Sequence, residues 1–194
     1  PFRVPPRVMR GLGGGVRVVQ VAAGPTHSLV LSRDGAVFAC GSGGRGALGL
    51  GRRDDARELT RVPGLVGVPV SQVAAGDNFS LAVSSPGLAY AWGANRVGQT
   101  GVPTAKAPLD VLAPTRVEAL PELVQLAAAG EGHSAWVSRS GRLYTAGRNG
   151  HGQLGTGFPR DAAAAATSAG AGGGDAAAGA LAAAADVDDA RAPL

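Results

Sequence analysis

The sequence predicts an all-β chain built from three copies of one four-stranded unit, followed by a low-complexity Ala/Gly tail. Three observations predict it. The stretch from Val18 to Gly49 recurs, in altered form, from Ser71 to Gly101 and from Val124 to Gly155. Four glycine columns stay in phase across the copies: Gly24, Gly76 and Gly130; Gly35, Gly87 and Gly141; Gly41, Gly93 and Gly147; Gly46, Gly98 and Gly152, each spaced by 52 and then 54 residues. Between these glycines lie short apolar runs bounded by turn residues, which suit strands and are too short for stable helices. A period near fifty with three visible strands and a fourth candidate fits a propeller blade.

Within the first copy the runs Val18 to Ala23, Ser28 to Ser32 and Val37 to Cys40 are the expected strands. Ser32-Arg33-Asp34-Gly35 is an Asp-Gly turn, so the second and third runs form a hairpin. Glycine marks the corners, by positive φ or close backbone approach. The fourth strand is placed in the segment preceding each copy: Pro6-Arg7-Val8, Thr60-Arg61-Val62 and Thr115-Arg116-Val117.

The glutamine-to-glycine distance is 29 positions from Gln20 to Gly49 and from Gln72 to Gly101, and 30 from Gln125 to Gly155. The extra residue is assigned to Ala127-Ala128-Ala129. The connectors vary more, as surface loops can. The expected organisation is an N-terminal connector with a candidate outer strand over 1–17, blades over 18–60, 61–113 and 114–158, and a flexible tail over 159–194.

The recurring Ala-x-Gly-x-x-His-Ser strand, the Asp-Gly-like turn, the Trp-Gly strand end at Trp92-Gly93 and the Gly-Gln-Leu-Gly loop at Gly152 to Gly155 resemble the repeat of the regulator of chromosome condensation family. Kelch and WD repeats have comparable periods, but their dipeptide signatures do not recur in phase here. The resemblance covers residues 6–157 and implies a seven-bladed propeller, of which this chain would hold three blades. Family members serve as exchange factors for a Ran-like small GTPase, chromatin-binding platforms, parts of ubiquitin ligases, photoreceptors and scaffold subunits. The resemblance therefore implies protein partners reached through propeller loops, a small GTPase or a large assembly among them. No exchange residue carries over position by position. Photoreception is disfavoured because Trp92 and Trp136 stand in different blades.

Charge is divided along the 194-residue chain. Residues 1–160 carry 17 Lys and Arg against 9 Asp and Glu, whereas residues 161–194 carry one Arg against five Asp. All but Lys106 of the basic residues are Arg, a bias that a GC-rich genome explains as well as phosphate binding does. Arg52, Arg53 and Arg57 form a candidate partner-facing loop. Asp54, Asp55 and Glu58 interleave with them and aromatics are missing, so nucleic-acid binding is weakly supported.

No catalytic constellation, cofactor site or metal site is expected. Gly41-Ser-Gly-Gly-Arg-Gly46 matches a dinucleotide fingerprint, but no helix-forming segment follows to face a pyrophosphate. Cys40 shares its column with Trp92 and Ala146 and is expected to be a packing residue. His27 and His133 share a column with Phe79, which points to burial with a ring nitrogen bonded to backbone; His151 stands alone in a loop. Ser28 and Ser134 point away from their neighbouring histidines along a strand and cannot be activated by them. No apolar run reaches membrane-spanning length and no signal segment is visible, so a soluble intracellular chain is expected. Residues 161–185 are almost entirely small and cannot bury enough surface to offset chain entropy. The expected function is a non-catalytic propeller module for protein interaction or scaffolding, with exchange on a Ran-like GTPase or chromatin binding as the alternatives.

Overall fold

The computed structural model describes residues 5, 7–9, 11–103, 109–156 and the backbone of 182–183. The strands group into three antiparallel sheets. Blade 1 holds β1 (Val18–Ala23), β2 (His27–Ser32), β3 (Val37–Gly41) and β4 (Ala56–Arg61). Blade 2 holds β5 (Val70–Ala75), β6 (Phe79–Ser84), β7 (Ala89–Ala94) and β8 (Asp110–Arg116). Blade 3 holds β9 (Val124–Ala129), β10 (His133–Ser138), β11 (Leu143–Gly147) and the two-residue β12 (Ala182–Ala183). A 3-10 turn, Pro63–Leu65, links the first two blades. The strands follow one another across each sheet as a meander, the pattern of a propeller blade.

Each hairpin turns on a glycine and a serine. Gly35, Gly87 and Gly141 have φ of +81°, +98° and +89°, a region that side-chain-bearing residues avoid. Before each of them, a buried serine holds the turn's far side. Ser32 Oγ lies 3.0 Å from Ala36 N and 2.9 Å from Ala36 O; the Leu88 and Arg142 amides donate to Ser84 and Ser138 at 3.0 Å. This serine column escaped the sequence reading.

The fourth strand lies elsewhere than the sequence suggested. Thr60-Arg61 pairs with Phe38 and Ala39 of the copy before it, and Thr115-Arg116 with Tyr90 and Ala91. The segment ahead of a copy therefore completes the sheet of the previous blade, since β4 pairs antiparallel with β3 and β8 with β7. Arg7 and Val8 lie in no strand, and Val8 is 94% exposed.

Register also moves the extra residue of the third copy. Each inner strand has a one-residue bulge, at Val19, Ser71 and Gln125. Beyond it Gln20 pairs with Leu31, Gln72 with Val83 and Leu126 with Val137. Leu126, not Gln125, thus occupies the glutamine column, and the alanines need no insertion.

The core runs between the blades. Blade 2 is enclosed on both sides, and all six residues of β6 are buried. Leu29, Leu31 and Val37 of blade 1, Leu81, Val83 and Trp92 of blade 2, and Val124 and Trp136 of blade 3 are almost fully excluded from water. Burying each large apolar side chain contributes about 1.5–3 kcal/mol. Of the tail, Ala182 and Ala183 pair with Thr145 and Tyr144; the flexibility expected elsewhere in 159–194 falls outside the described residues.

Candidate functional site

The blades are joined by side chains that reach from one sheet into the next. Gln20, on the inner strand of blade 1, donates from Nε2 to Val73 O at 3.0 Å and accepts at Oε1 from Val73 N at 3.0 Å. Gln72 repeats the pair on Ala127, at 3.1 and 2.8 Å. A side-chain amide has the donor and acceptor that a peptide group needs, so it completes the open edge of the neighbouring inner strand.

A second contact lies one strand further out. His27 Nε2 is 2.8 Å from Ser80 Oγ in the next blade, and Ser80 donates to Ala47 O at 2.8 Å. Since the serine has one proton and gives it to the carbonyl, His27 must donate from Nε2. Nδ1 is then the bare nitrogen, and it is buried without a partner. Burial holds the imidazole pKa below its ordinary value, with Asp77 opposing. The histidine therefore bonds a hydroxyl across the joint, where the sequence suggested backbone. Ser80 is fully buried with its proton committed, so the pair has no nucleophilic role. Trp92 Nε1 also donates to Ala47 O at 2.8 Å, and Ser134 donates to Gln99 O at 2.6 Å.

Several of the column glycines sit at the same joints, and others at corners within a blade. Gly24, Gly76 and Gly130 are outside the positive-φ group. A Cβ at Gly24 would stand 2.5 Å from Gly76 O, and one at Gly76 would stand 2.1 Å from Phe79 Cε1 and 2.7 Å from Gly130 O. At Gly46, Gly35 and Gly87 the near neighbours are Leu112, Val70 and Leu123 of the following blade, at about 3 Å. Gly41, Gly93 and Gly147 have φ of +110°, +100° and +113° and press on Thr26 O, Asn78 O and Gly132 O, all 2.4 Å from an added Cβ. Gly98 and Gly152 also have positive φ, at +75° and +78°.

The joints hold up a face of loops. Asn95 donates to Val102 O at 3.0 Å and accepts from Thr100, while Val97 N donates to Gln99 Oε1 at 3.1 Å. In blade 3, Asn149 and Gln153 accept from Leu154 N and His151 N at 3.0 and 2.8 Å. Between these loops and the Asp77-Asn78 and Glu131-Gly132 turns is an open cavity of about 280 Å³ whose lining includes Arg45, Arg96 and Arg148. Arg148 pairs with Glu131 at 3.3 Å and Arg45 lies 3.6 Å from Asp110, whereas the exposed Arg96 has no ion pair among the described residues.

The three arginines proposed from sequence are not one surface. Arg52 pairs with Asp54 at 3.4 Å and stays exposed. Arg53 is bound to Asp110, whose side chain is 4% exposed, and donates to Gly44 O at 3.0 Å, so it belongs to the junction of blades 1 and 2. Arg57 lines a separate hollow with Val8, Met9 and Cys40. Burial raises the Cys40 thiol pKa, as for a packing residue. No helix follows Gly41–Gly46. Among the described residues no group of His, Cys, Asp and Glu is arranged to hold a metal, and no helix is long and apolar enough to cross a membrane.

Models of the regulator of chromosome condensation (RCC1) repeat match residues 34–83 and 86–137, and a second model of that repeat matches 18–47 and 70–99. The chain belongs to the RCC1 repeat family. RCC1-type relatives include the human probable E3 ubiquitin-protein ligase HERC6, 38% identical over 72% of this chain and 14% of that protein. The ultraviolet-B receptor UVR8 of Arabidopsis thaliana is 36% identical over 74% of this chain and 32% of the receptor. Among solved structures, human WBSCR16 superimposes with a TM-score of 0.66 at 34% identity, covering 73% of this chain and 35% of that one. Prp20p, the RCC1 of Saccharomyces cerevisiae, gives 0.64 at 31% identity over 78% of this chain and 35% of its own; that study concerns its binding to Gsp1p and histones. The chain thus spans a seventh to about a third of these RCC1-repeat proteins.

Proposed function

We propose that this chain is part of a protein-binding propeller whose loop face, centred on Arg96, takes a carboxylate-bearing partner surface. The observation that carries the reading is an exposed arginine without an ion pair among the described residues, set between the Asp77 and Glu131 turns on loops fixed by Asn95, Gln99 and Asn149. Rigid loops lose little entropy on binding, and arginine is well suited to hot spots. Arg52 is a peripheral contact in this reading. Affinity capture with the full-length protein tests it: a partner recovered by the wild type and lost with Arg96→Glu, at unchanged melting temperature, is expected. Recovery of the same proteins by both forms would refute it.

A second reading is nucleotide exchange on a Ran-like GTPase or histone binding, favoured by the likeness to Prp20p, whose binding to Gsp1p and histones was studied. Exchange predicts faster nucleotide release from a small GTPase when the full-length protein is added. Chromatin binding predicts a steep loss of affinity with salt.

A further inference from the structure

We propose that Asn149 is a site of spontaneous deamidation to aspartate and isoaspartate, a slow one-way change built into the loop face of blade 3. The chain has three asparagines, and only Asn149 is followed by glycine. A side chain hinders attack by its own amide nitrogen, and glycine has none. Gly150 is exposed, a Cβ built on it would meet nothing within 4 Å, and its N–H makes no hydrogen bond among the described residues. Asn149 itself is half-buried, and its Oδ1 accepts from Leu154 N at 3.0 Å. Its Nδ2, the group that leaves, bonds the exposed Thr156 at the long distance of 3.4 Å.

Blade 2 has the same loop closed to this reaction. Asn95 stands in the Asn149 column, and Gly98 N bonds its carbonyl at 3.2 Å as Gly152 N bonds that of Asn149 at 3.1 Å. Yet Asn95 is 0% exposed, its Nδ2 donates to Val102 O at 3.0 Å, its Oδ1 accepts from the Thr100 hydroxyl at 2.6 Å, and Arg96 follows it. Asn78 precedes the fully buried Phe79. Asp34-Gly35 could close the same ring, but the Gly35 amide is committed to Ser32 O at 3.0 Å.

The Gly150 amide nitrogen, its proton lost to solvent base, attacks Cγ of Asn149. The Cγ–Nδ2 bond breaks, ammonia leaves with a proton from water, and a cyclic imide closes. Water then opens the imide: cleavage at Cγ yields aspartate, and cleavage at the main-chain carbonyl yields isoaspartate. Nothing is oxidised or reduced. Either product sets a new carboxylate next to Arg148, which pairs with Glu131 at 3.3 Å, and isoaspartate also routes the main chain through the former side-chain methylene. The reaction does not depend on which partner the loop face binds.

The test incubates the whole folded chain in mildly alkaline buffer and maps its peptides by mass spectrometry over time. The peptide holding Asn149 is expected to gain the mass difference between NH2 and OH and to separate into two forms. One of them should accept a methyl group from S-adenosylmethionine through an isoaspartyl carboxyl methyltransferase. Gly150→Ala should slow the conversion by at least about tenfold, since a methyl group then shields the attacking nitrogen. Arg96→Gly, shown to be folded by its melting transition, places the same dipeptide in the enclosed loop. There Asn95 should convert at least about tenfold more slowly than Asn149 of the same molecules, because it reacts only through local opening. In denaturant the two rates should converge. An Asn149 peptide that keeps its amide in the folded chain while the denatured chain loses it would overturn the proposal. So would undiminished conversion in Gly150→Ala, or equal conversion of Asn95 and Asn149 in the folded Arg96→Gly chain, which would leave the loop structure without a role.

Discussion

His27 donates from Nε2 to the Ser80 hydroxyl at 2.8 Å while its other ring nitrogen is buried without a partner. The joint between blades 1 and 2 therefore accepts the neutral imidazole and penalises the charged one. With the folded-state pKa depressed, the unfolded chain takes up the proton first, so the stability due to this residue is complete above about pH 6.5 and declines below it as the folded pKa is approached. Melting temperatures measured between pH 8 and 5 should fall more for the wild type than for His27→Phe, which places at this position the residue that blade 2 has at Phe79. Parallel pH profiles would refute the assignment.

Gln72→Ala leaves the Ala127 N–H and C=O without the amide that binds them. A cost of about 1–3 kcal/mol in urea unfolding is expected for losing a partner to buried main-chain groups. Leu126→Gln, which places the same amide on the uncovered flank of blade 3, should change stability by less than about 0.5 kcal/mol.

Gly76→Ala puts a methyl group against the Phe79 ring and the Gly130 carbonyl, and overpacking of this kind costs about 1–3 kcal/mol. Gly150→Ala meets nothing within 4 Å and should be neutral to about 0.5 kcal/mol. Equal thermal shifts would show that the first glycine column is a matter of composition. Arg53→Ala belongs with the destabilising changes, at about 1 kcal/mol, because Asp110 is left with only the more distant Arg45. Arg52→Ala serves as its exposed control.

Glu122 gathers the Ser140 hydroxyl, Arg142 at 2.8 Å and Tyr144 at 3.1 Å, and these hydrogen bonds, with Ser140 foremost, hold its carboxyl pKa at about 2. A depressed carboxyl pKa stabilises the fold above the unfolded value of 4.5, and the effect is lost as pH falls towards 2. Acid unfolding of Glu122→Gln should begin from a lower stability at pH 7 and show a shallower slope between pH 4.5 and 2. An unchanged slope would exclude the network as a source of acid sensitivity.

Much of the fold was legible in the sequence because repetition averages out local ambiguity. Three aligned copies located the hairpins, and the glycine spacing located their corners. What was illegible concerns relations between copies. The sequence shows Gln20 and Gln72 in phase but not that they bond Val73 and Ala127, since the partner is main chain and has no side-chain signature. The same limit hid the His27 contact to Ser80, 53 residues away. Matching Gln125 to the other glutamines was reasonable by letter, but the bulge before Leu126 decides the register, and bulges follow from pairing geometry. The fourth strand was assigned to the wrong neighbour for a similar reason: adjacency along the chain says nothing about which edge a segment covers. The candidate face was only partly visible. Arg52, Arg53 and Arg57 stood out as a cluster in sequence, whereas Arg96 is a single letter whose setting depends on two turns from different blades.

The glutamine joint has a consequence for how such chains change over generations. Gln20 and Gln72 grip peptide groups, which every residue other than proline offers alike. A neighbouring repeat can therefore be duplicated, exchanged or rewritten at almost any side chain without a compensating change in the glutamine, so long as no proline enters the gripped position. Val73 and Ala127 differ in size and are held equally well. The joint is indifferent to sequence by construction, and that indifference leaves the loops above it free to diversify one blade at a time.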